Sequence, residues 1–367
     1  MRRARWIIPP KPEAPRPVIY HCVSRAVNRE FVFGDLERER MRMFMRMYEN
    51  FSGNRILSYC FMSNHFHMLL EVTPMPAGGL SDAELVRRVR ALGNEAQTLG
   101  LSMELDEARK KIRAGEAGES LAAAIHARFT YRMHDLSQFM KGFTQRYTQW
   151  HNRTHQRTGR LWEDRFKSVI VEDGVACKTM AAYIDLNPVR AGMVKDPAQY
   201  RWSSYGEAVG GGAKGNGKKA RAGLVRAMRA HKGVGADADL WAHDVSREYR
   251  RLLLAGAQER QETRVGRNSG TEVKRMRKGM SAVQVQREKE RLEKKAGEIP
   301  FGRMLRCRVR YFTDGAVIGS RAFVNEAFAN ARERFGARRR DGARTMRGNG
   351  GAAKGVLWSV RDLRVNV

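Results

Sequence analysis

The sequence predicts an α+β fold: an antiparallel sheet flanked by helices, followed by a mostly helical, basic C-terminal unit. Three observations carry this. Short runs rich in β-branched and aromatic residues recur in the first part of the chain and stop at turn residues. Between them lie longer stretches with apolar residues at helical spacing. Past a Gly/Lys-rich stretch at 210–219, charged helical periodicity takes over.

Residues 17–24 (PVIYHCVS) read as the first strand. Residues 36–50 carry Met41, Phe44, Met45 and Tyr48 at helical spacing, the first core helix. A second strand, 55–62 (RILSYCFM), and a third, 63–72 (SNHFHMLLEV), are joined so closely that they predict an antiparallel hairpin, which Pro74 and Pro76 close. Residues 77–132 read as an inserted helical segment, with Ser81 and Glu84 as a capping signature ahead of Leu85, Val86 and Val89. It carries no visible chemistry and is expected to lengthen the domain or cover a partner surface. In 135–150, Leu136, Phe139, Met140, Phe143 and Tyr147 form one apolar stripe, the strongest helix signal in the chain. A strand at 169–172 and a helix at 178–186 follow, the helix ended by Pro188. Residues 208–223 read as a flexible linker. Beyond it, 224–255 and 281–296 read as helices, Ser320 as the cap of a helix through Phe335, and 355–363 as a last short strand. The expected domains are therefore 1–207, with its insertion, and 224–367.

Lys and Arg number 69 against 39 Asp and Glu, a net charge of +30. That excess goes well beyond what solubility needs and implies a polyanionic partner. No apolar stretch approaches 18 residues and no basic amphipathic helix shows an aromatic face, so the sequence argues for nucleic acid rather than a membrane. The N-terminus lacks a secretory apolar region, and Cys22, Cys60, Cys177 and Cys307 form no Cys-x-x-Cys pair. Free thiols in a reducing cytoplasm are expected.

His65 and His67 are two apart on a strand and share a face, with Phe66 on the other. Their Cα atoms lie roughly 6–7 Å apart, so the two imidazoles can converge on one metal ion. Tyr183 and Asn187 are four apart in a helical segment and also share a face. Set across the histidine strand, that helix would stand a phenol beside a metal held by two imidazoles and an amide oxygen. Such a site suits attack on a phosphodiester. Taken singly, a histidine is usually a core or surface residue and a helical tyrosine usually packs. The run 157–168, with Arg160, Trp162, Arg165 and Lys167, mixes phosphate-binding and stacking residues as single-strand binders do. Arg190, and Arg338, Arg339 and Arg340 of a basic loop, complete the candidate DNA-binding set.

Taken in order, several phrases resemble the HUH-type Y1 tyrosine transposases of the IS200 group, and within them the REP-associated branch. They are MSNHFH at 62–67, YTQWHN at 147–152, GRLWEDRFKS at 159–168, AYIDLNPVRAG at 182–192 and YRWSSY at 200–205. The resemblance spans about Tyr20 to Tyr205 and implies an HUH, ferredoxin-like catalytic domain at 1–207. It implies cleavage and rejoining of single-stranded or hairpin DNA, with Tyr183 as nucleophile and His65, His67 and Asn187 holding Mg²⁺ or Mn²⁺. Insertion-sequence members commonly carry Gln where this chain has Asn187, whereas Asn is what the REP-associated branch shows. The segments 77–132 and beyond 210 lie outside that likeness. No small-molecule cofactor is expected, and a homodimer is left open.

Rival readings differ on particular residues. Tyr147 could be the nucleophile, but it lies on the apolar stripe. A histidine-triad hydrolase would need a third histidine where Leu69 stands, and a two-histidine phosphoesterase would need His-x-Ser or His-x-Thr, which the chain lacks. The serious alternative is a domesticated, non-catalytic DNA- or RNA-binding protein on the same fold.

Overall fold

The computed structural model describes residues 6–8, 16–211, 216–229, 241, 245–265, 272–277, 279–293, 305, 310–313, 316–335, 339–346 and 356–360. Strand β1 (Val18–Arg25) leads into α1 (Asp35–Ser52), then β2 (Arg55–Phe61) and β3 (His65–Val72). The segment between β3 and the next strand holds α2 (Asp82–Arg90), α3 (Glu95–Arg113), α4 (Ser120–Thr130) and α5 (Leu136–Thr154). Strand β4 (Lys167–Val171) precedes α6 (Val175–Asp185), α7 (Asn187–Arg190) and α8 (Ser204–Gly210). Further on come α9 (Asn216–Arg229), α10 (Ser246–Ala257), the hairpin β5 (Arg260–Val265) and β6 (Glu272–Arg277), and α11 (Ala282–Glu293). The last described elements are α12 (Arg310–Thr313), β7 (Val317–Gly319), α13 (Arg321–Asn330), β8 (Arg344–Thr345) and β9 (Trp358–Val360).

The main sheet has seven strands in the order β2-β3-β1-β4-β7-β9-β8. The expected antiparallel hairpin forms, with Phe61 opposite Phe66. One correction applies to the expected purely antiparallel sheet: β7 lies parallel to β4, so the sheet is mixed. The C-terminal residues reach β4 by a long connection rather than a hairpin, and only such a connection permits parallel pairing. Because β1 is covered on both edges and both faces, nearly all of it is buried. The sheet and its hydrophobic core continue from Ile19 to Val360, across the Gly/Lys-rich stretch, of which 212–215 lie outside the described residues.

Alternation on the strands sorts the helices into two layers. Phe66 turns toward α5, its ring 5.5 Å from Phe143. His67 turns the other way, toward α6, its ring 5.9 Å from Tyr183. Gly142 lets α1 and α5 close up, since a Cβ there would overlap the Tyr48 ring. Helices α2–α4 gather a satellite core of Leu85, Val89, Leu101, Leu105, Ile125 and Phe129 against Phe51, and Ser81 caps α2 by accepting from the Glu84 amide at 3.2 Å.

Buried charges fasten the layers. Glu207 of α8, wholly buried, meets Arg46 at 2.6 Å and Arg42 at 3.3 Å, both on α1. At the end of α6, Asp185 accepts from the Tyr249 hydroxyl of α10 at 2.6 Å and from the Tyr205 amide at 3.0 Å. The tyrosine helix is thereby tied to a helix from the chain's second half.

Candidate active site

His65 and His67 project from β3 on the α6 face, ring centroids 5.0 Å apart. His67 is buried, while His65 is partly exposed at the strand's start. The Nδ1–H of His65 donates to Asn64 Oδ1 at 2.7 Å. The Asn64 amide is pinned this way round because its Nδ2 donates to the Arg29 carbonyl at 2.9 Å. His65 is therefore left with its lone pair on Nε2.

A third histidine, missed on sequence, completes the group. His21 on β1 is fully buried, and its ring lies edge to edge with that of His67, centroids 5.2 Å apart and planes within 14°. Its Nε2 lies 3.0 Å from His67 Nδ1, and its Nδ1 lies 2.8 Å from the Phe312 carbonyl. Burial pulls His21 down to about 4, against the opposing pull of the Phe312 bond. Burial, and then Arg25, likewise draw His65 to about 4. His67 falls well below the usual histidine value through burial first, then through His65, His21, Arg25 and Arg190. All three imidazoles are thus neutral near pH 7, the form that ligates a metal.

Helix α6 is buried from Ala176 to Asp185, so it lies flat against the sheet and carries Tyr183 to the histidine face. The Tyr183 ring stands 5.9 Å from His67 and 6.1 Å from His21. It is only 1% exposed: Phe312 stacks on it at 4.3 Å, and the Arg190 guanidinium lies 4.6 Å from its centroid. Asn187 sits just before Pro188, where α6 gives way to α7. Its Nδ2 donates to the Tyr183 and Ile184 carbonyls at 3.1 and 3.2 Å, which turns Oδ1 into the amide's remaining acceptor. Tyr147 lies on α5, on the other side of the sheet, buried among Phe33, Trp150, His151 and Trp162. Burial raises its hydroxyl far above the usual range.

Among the described residues, no group of three or more His, Cys, Asp or Glu side chains is placed to hold a metal ion. As donor types, two neutral imidazoles and an amide oxygen fit Mn²⁺ and, with added waters, Mg²⁺.

The proposed DNA contacts fall into different settings. Arg160, Arg165 and Lys167 are exposed. Trp162 instead packs inward, 5.4 Å from Phe66 and 5.6 Å from Phe33, its indole N–H donating to Thr148 at 3.0 Å. Arg190 is held within the site, donating to the Leu305 carbonyl at 3.0 Å. Arg339 folds back onto the Gly342 carbonyl at 2.9 Å, Arg340 is exposed, and Arg338 lies outside the described residues. A further groove of about 580 Å³ runs along α5, lined by Arg132, Lys141, Arg146 and Arg153 with Tyr48 and Tyr131, and by no carboxylate. Its α5 wall, Gln138, Lys141, Gln145, Gln149 and Arg153, recurs at helical spacing and so left a signal in the sequence, whereas Arg132 comes from the turn after α4. No helix among the described residues is long and apolar enough to cross a membrane.

A family profile described as "Transposase IS200 like" matches residues 16–78, which span β1 to β3 with His21, His65 and His67 but stop short of Tyr183. No curated protein matches the chain. Among solved structures, the chain is similar to one titled "Structure of the REP associates tyrosine transposase bound to a REP hairpin". The identity is 12% and the TM-score 0.35, covering 59% of this chain and 89% of that one. A likeness that faint carries no argument; what stands is that a short N-terminal segment, holding the histidine strand, matches the IS200-like transposase family.

Proposed function

We propose that this chain cleaves and rejoins single-stranded DNA at folded, hairpin sequences through a covalent bond between Tyr183 and a 5′ phosphate. The observation that carries this reading is the Tyr183 ring set 5.9 Å from neutral His67, with His65 beside it. The charge of +30, the carboxylate-free groove and the family match over 16–78 support a DNA substrate.

His65, His67 and Asn187 would hold the metal through Nε2, Nε2 and Oδ1. A bound Mg²⁺ or Mn²⁺ supplies charge neutralisation at the scissile phosphate and so favours in-line displacement. Tyr183 Oη forms the new O–P bond as the P–O3′ bond breaks. The phenolic proton passes to solvent, and the departing 3′ oxygen takes one up. The phosphotyrosine ester conserves the bond energy, so rejoining by a 3′-OH needs no ATP. Arg190, over the tyrosine ring, offers a positive charge where the phosphate would approach. The Phe312 ring has to swing aside to admit DNA; its carbonyl, which binds His21, can stay in place.

The stacked Phe312 also favours a second reading, a non-catalytic DNA-binding protein whose tyrosine is simply core. Labelled single-stranded hairpins incubated with the protein and Mn²⁺, then run on a denaturing gel, decide between them. A covalent adduct from wild type and from Tyr147→Phe, but none from Tyr183→Phe, is expected. An adduct that persists in Tyr183→Phe, or none from wild type on any hairpin, would overturn the proposal.

A further inference from the structure

We propose that His21 is the positioning residue of His67: it fixes the tautomer that leaves the His67 Nε2 lone pair free for a ligand. The inference deepens the metal-site reading above and rests on it for its purpose, but the hydrogen bonds that carry it do not.

A backbone carbonyl can only accept. The 2.8 Å contact between His21 Nδ1 and the Phe312 oxygen therefore requires the proton on His21 Nδ1. A neutral imidazole carries one N–H, so His21 Nε2 is then an acceptor. The 3.0 Å contact between His21 Nε2 and His67 Nδ1 must accordingly be donated by His67. His67 is left with its N–H on Nδ1 and its lone pair on Nε2. The opposite arrangement would need a doubly protonated His21. That would place a positive charge at a fully buried position whose ring contacts are His67, Tyr183 and the Phe312 carbonyl, none of them anionic.

The same outcome is reached separately at His65. Asn64 Oδ1 accepts from His65 Nδ1, and the Asn64 amide is oriented by the Arg29 carbonyl. Two relays of different composition thus end alike, each in a backbone carbonyl, and each freeing Nε2. A partner on the second nitrogen is what orients and strengthens an imidazole ligand. The His67 relay also gives α12 a role: its Phe312 carbonyl, 291 residues away in sequence, is the fixed end of the chain of bonds.

Two variants separate this role from simple packing. His21→Gln keeps a donor and an acceptor that can bridge the carbonyl and His67, whereas His21→Leu fills the space and offers neither. On full-length protein without DNA, Mn²⁺ affinity is read by electron paramagnetic resonance, and histidine tautomers by ¹⁵N NMR, with His67 assigned by its loss in His67→Gln. His21→Leu should weaken Mn²⁺ binding about 10–100-fold, while His21→Gln should restore most of it. In wild type, His67 should carry its proton on Nδ1, and in His21→Leu that preference should disappear. Equal Mn²⁺ affinities in His21→Leu and wild type would overturn the proposal. So would a wild-type His67 protonated on Nε2, a result that stands even if the leucine variant fails to fold. If wild type binds no Mn²⁺ while the His67 tautomer still responds to His21→Leu, the metal reading fails and the positioning role survives.

Discussion

Asp185 is the residue through which pH should act on stability. It is fully buried at the end of α6, and burial lifts its carboxyl from 3.8 to about 7, against the lowering effect of bonds from Tyr249, Tyr205, Ser203 and Ser58. A carboxyl whose folded value is raised holds its proton longer when folded than when unfolded. Its contribution is therefore fully present below about pH 4 and is lost as pH rises toward 7. Each pH unit in that window corresponds to about 1.4 kcal/mol, so the whole window amounts to roughly 4 kcal/mol at most. Asp185→Asn cannot titrate. Its oxygen can accept from the Tyr205 amide while its Nδ2 donates to the Tyr249 hydroxyl, and any remaining offset does not depend on pH. The assay is urea unfolding of both proteins from pH 4 to pH 8, followed by tryptophan fluorescence. Wild type should lose stability relative to Asp185→Asn as pH rises through the window, then run parallel above it. The depressed histidines shift stability in the opposite sense, but they are common to both proteins and cancel in the difference. Parallel profiles across the window would refute the reasoning.

Other expectations follow from the same contacts. Excess EDTA should abolish adduct formation, His65→Ala and His67→Ala should do so irrespective of added Mn²⁺, and Asn187→Ala should weaken it less, because a neutral amide is the weakest donor; gel assays against metal concentration check this. Glu207→Ala takes one carboxylate from each of two arginines, leaving Arg46 with Glu49 and Arg42 with Glu39, and should cost about 1–3 kcal/mol, read as a lower urea midpoint. Lys141→Ala with Arg153→Ala should lower the salt slope of single-strand binding by about 1.4 if each contacts one phosphate, and an unchanged slope would place the strand elsewhere.

Continuous runs of β-branched and aromatic residues made β1, β2 and β3 legible to within a residue or two, since each is buried on both faces. The stripe from Leu136 to Tyr147 gave α5 because that helix buries one face and exposes the other. His65, His67 and Tyr183 were legible because alternation and helical spacing are local. His21 was not: a lone histidine in a strand has no local mark, and only antiparallel pairing of Val23 with His67 brings it alongside. Phe312 was less legible still, since no spacing rule links residues that far apart. Trp162 shows a setting the sequence did not: a tryptophan among arginines reads as a stacking platform, and the fold packs it, half-buried, against Phe66 and Phe33.

The bond between His21 and Phe312 also sets an order of events during synthesis. A ribosome adding about 5–20 residues per second needs roughly 15–60 s to travel the 291 residues between them. From the end of β4 at Val171 to the start of β7 at Val317, 146 residues and so roughly 7–30 s, β4 has its partner β1 but not β7, and one edge of the sheet stays open to any passing strand. The tyrosine and both paired histidines have left the exit tunnel long before their cover and their carbonyl anchor exist. A chain that stops early therefore releases the histidine strand without the last link of its relay, however well the first two hundred residues have folded.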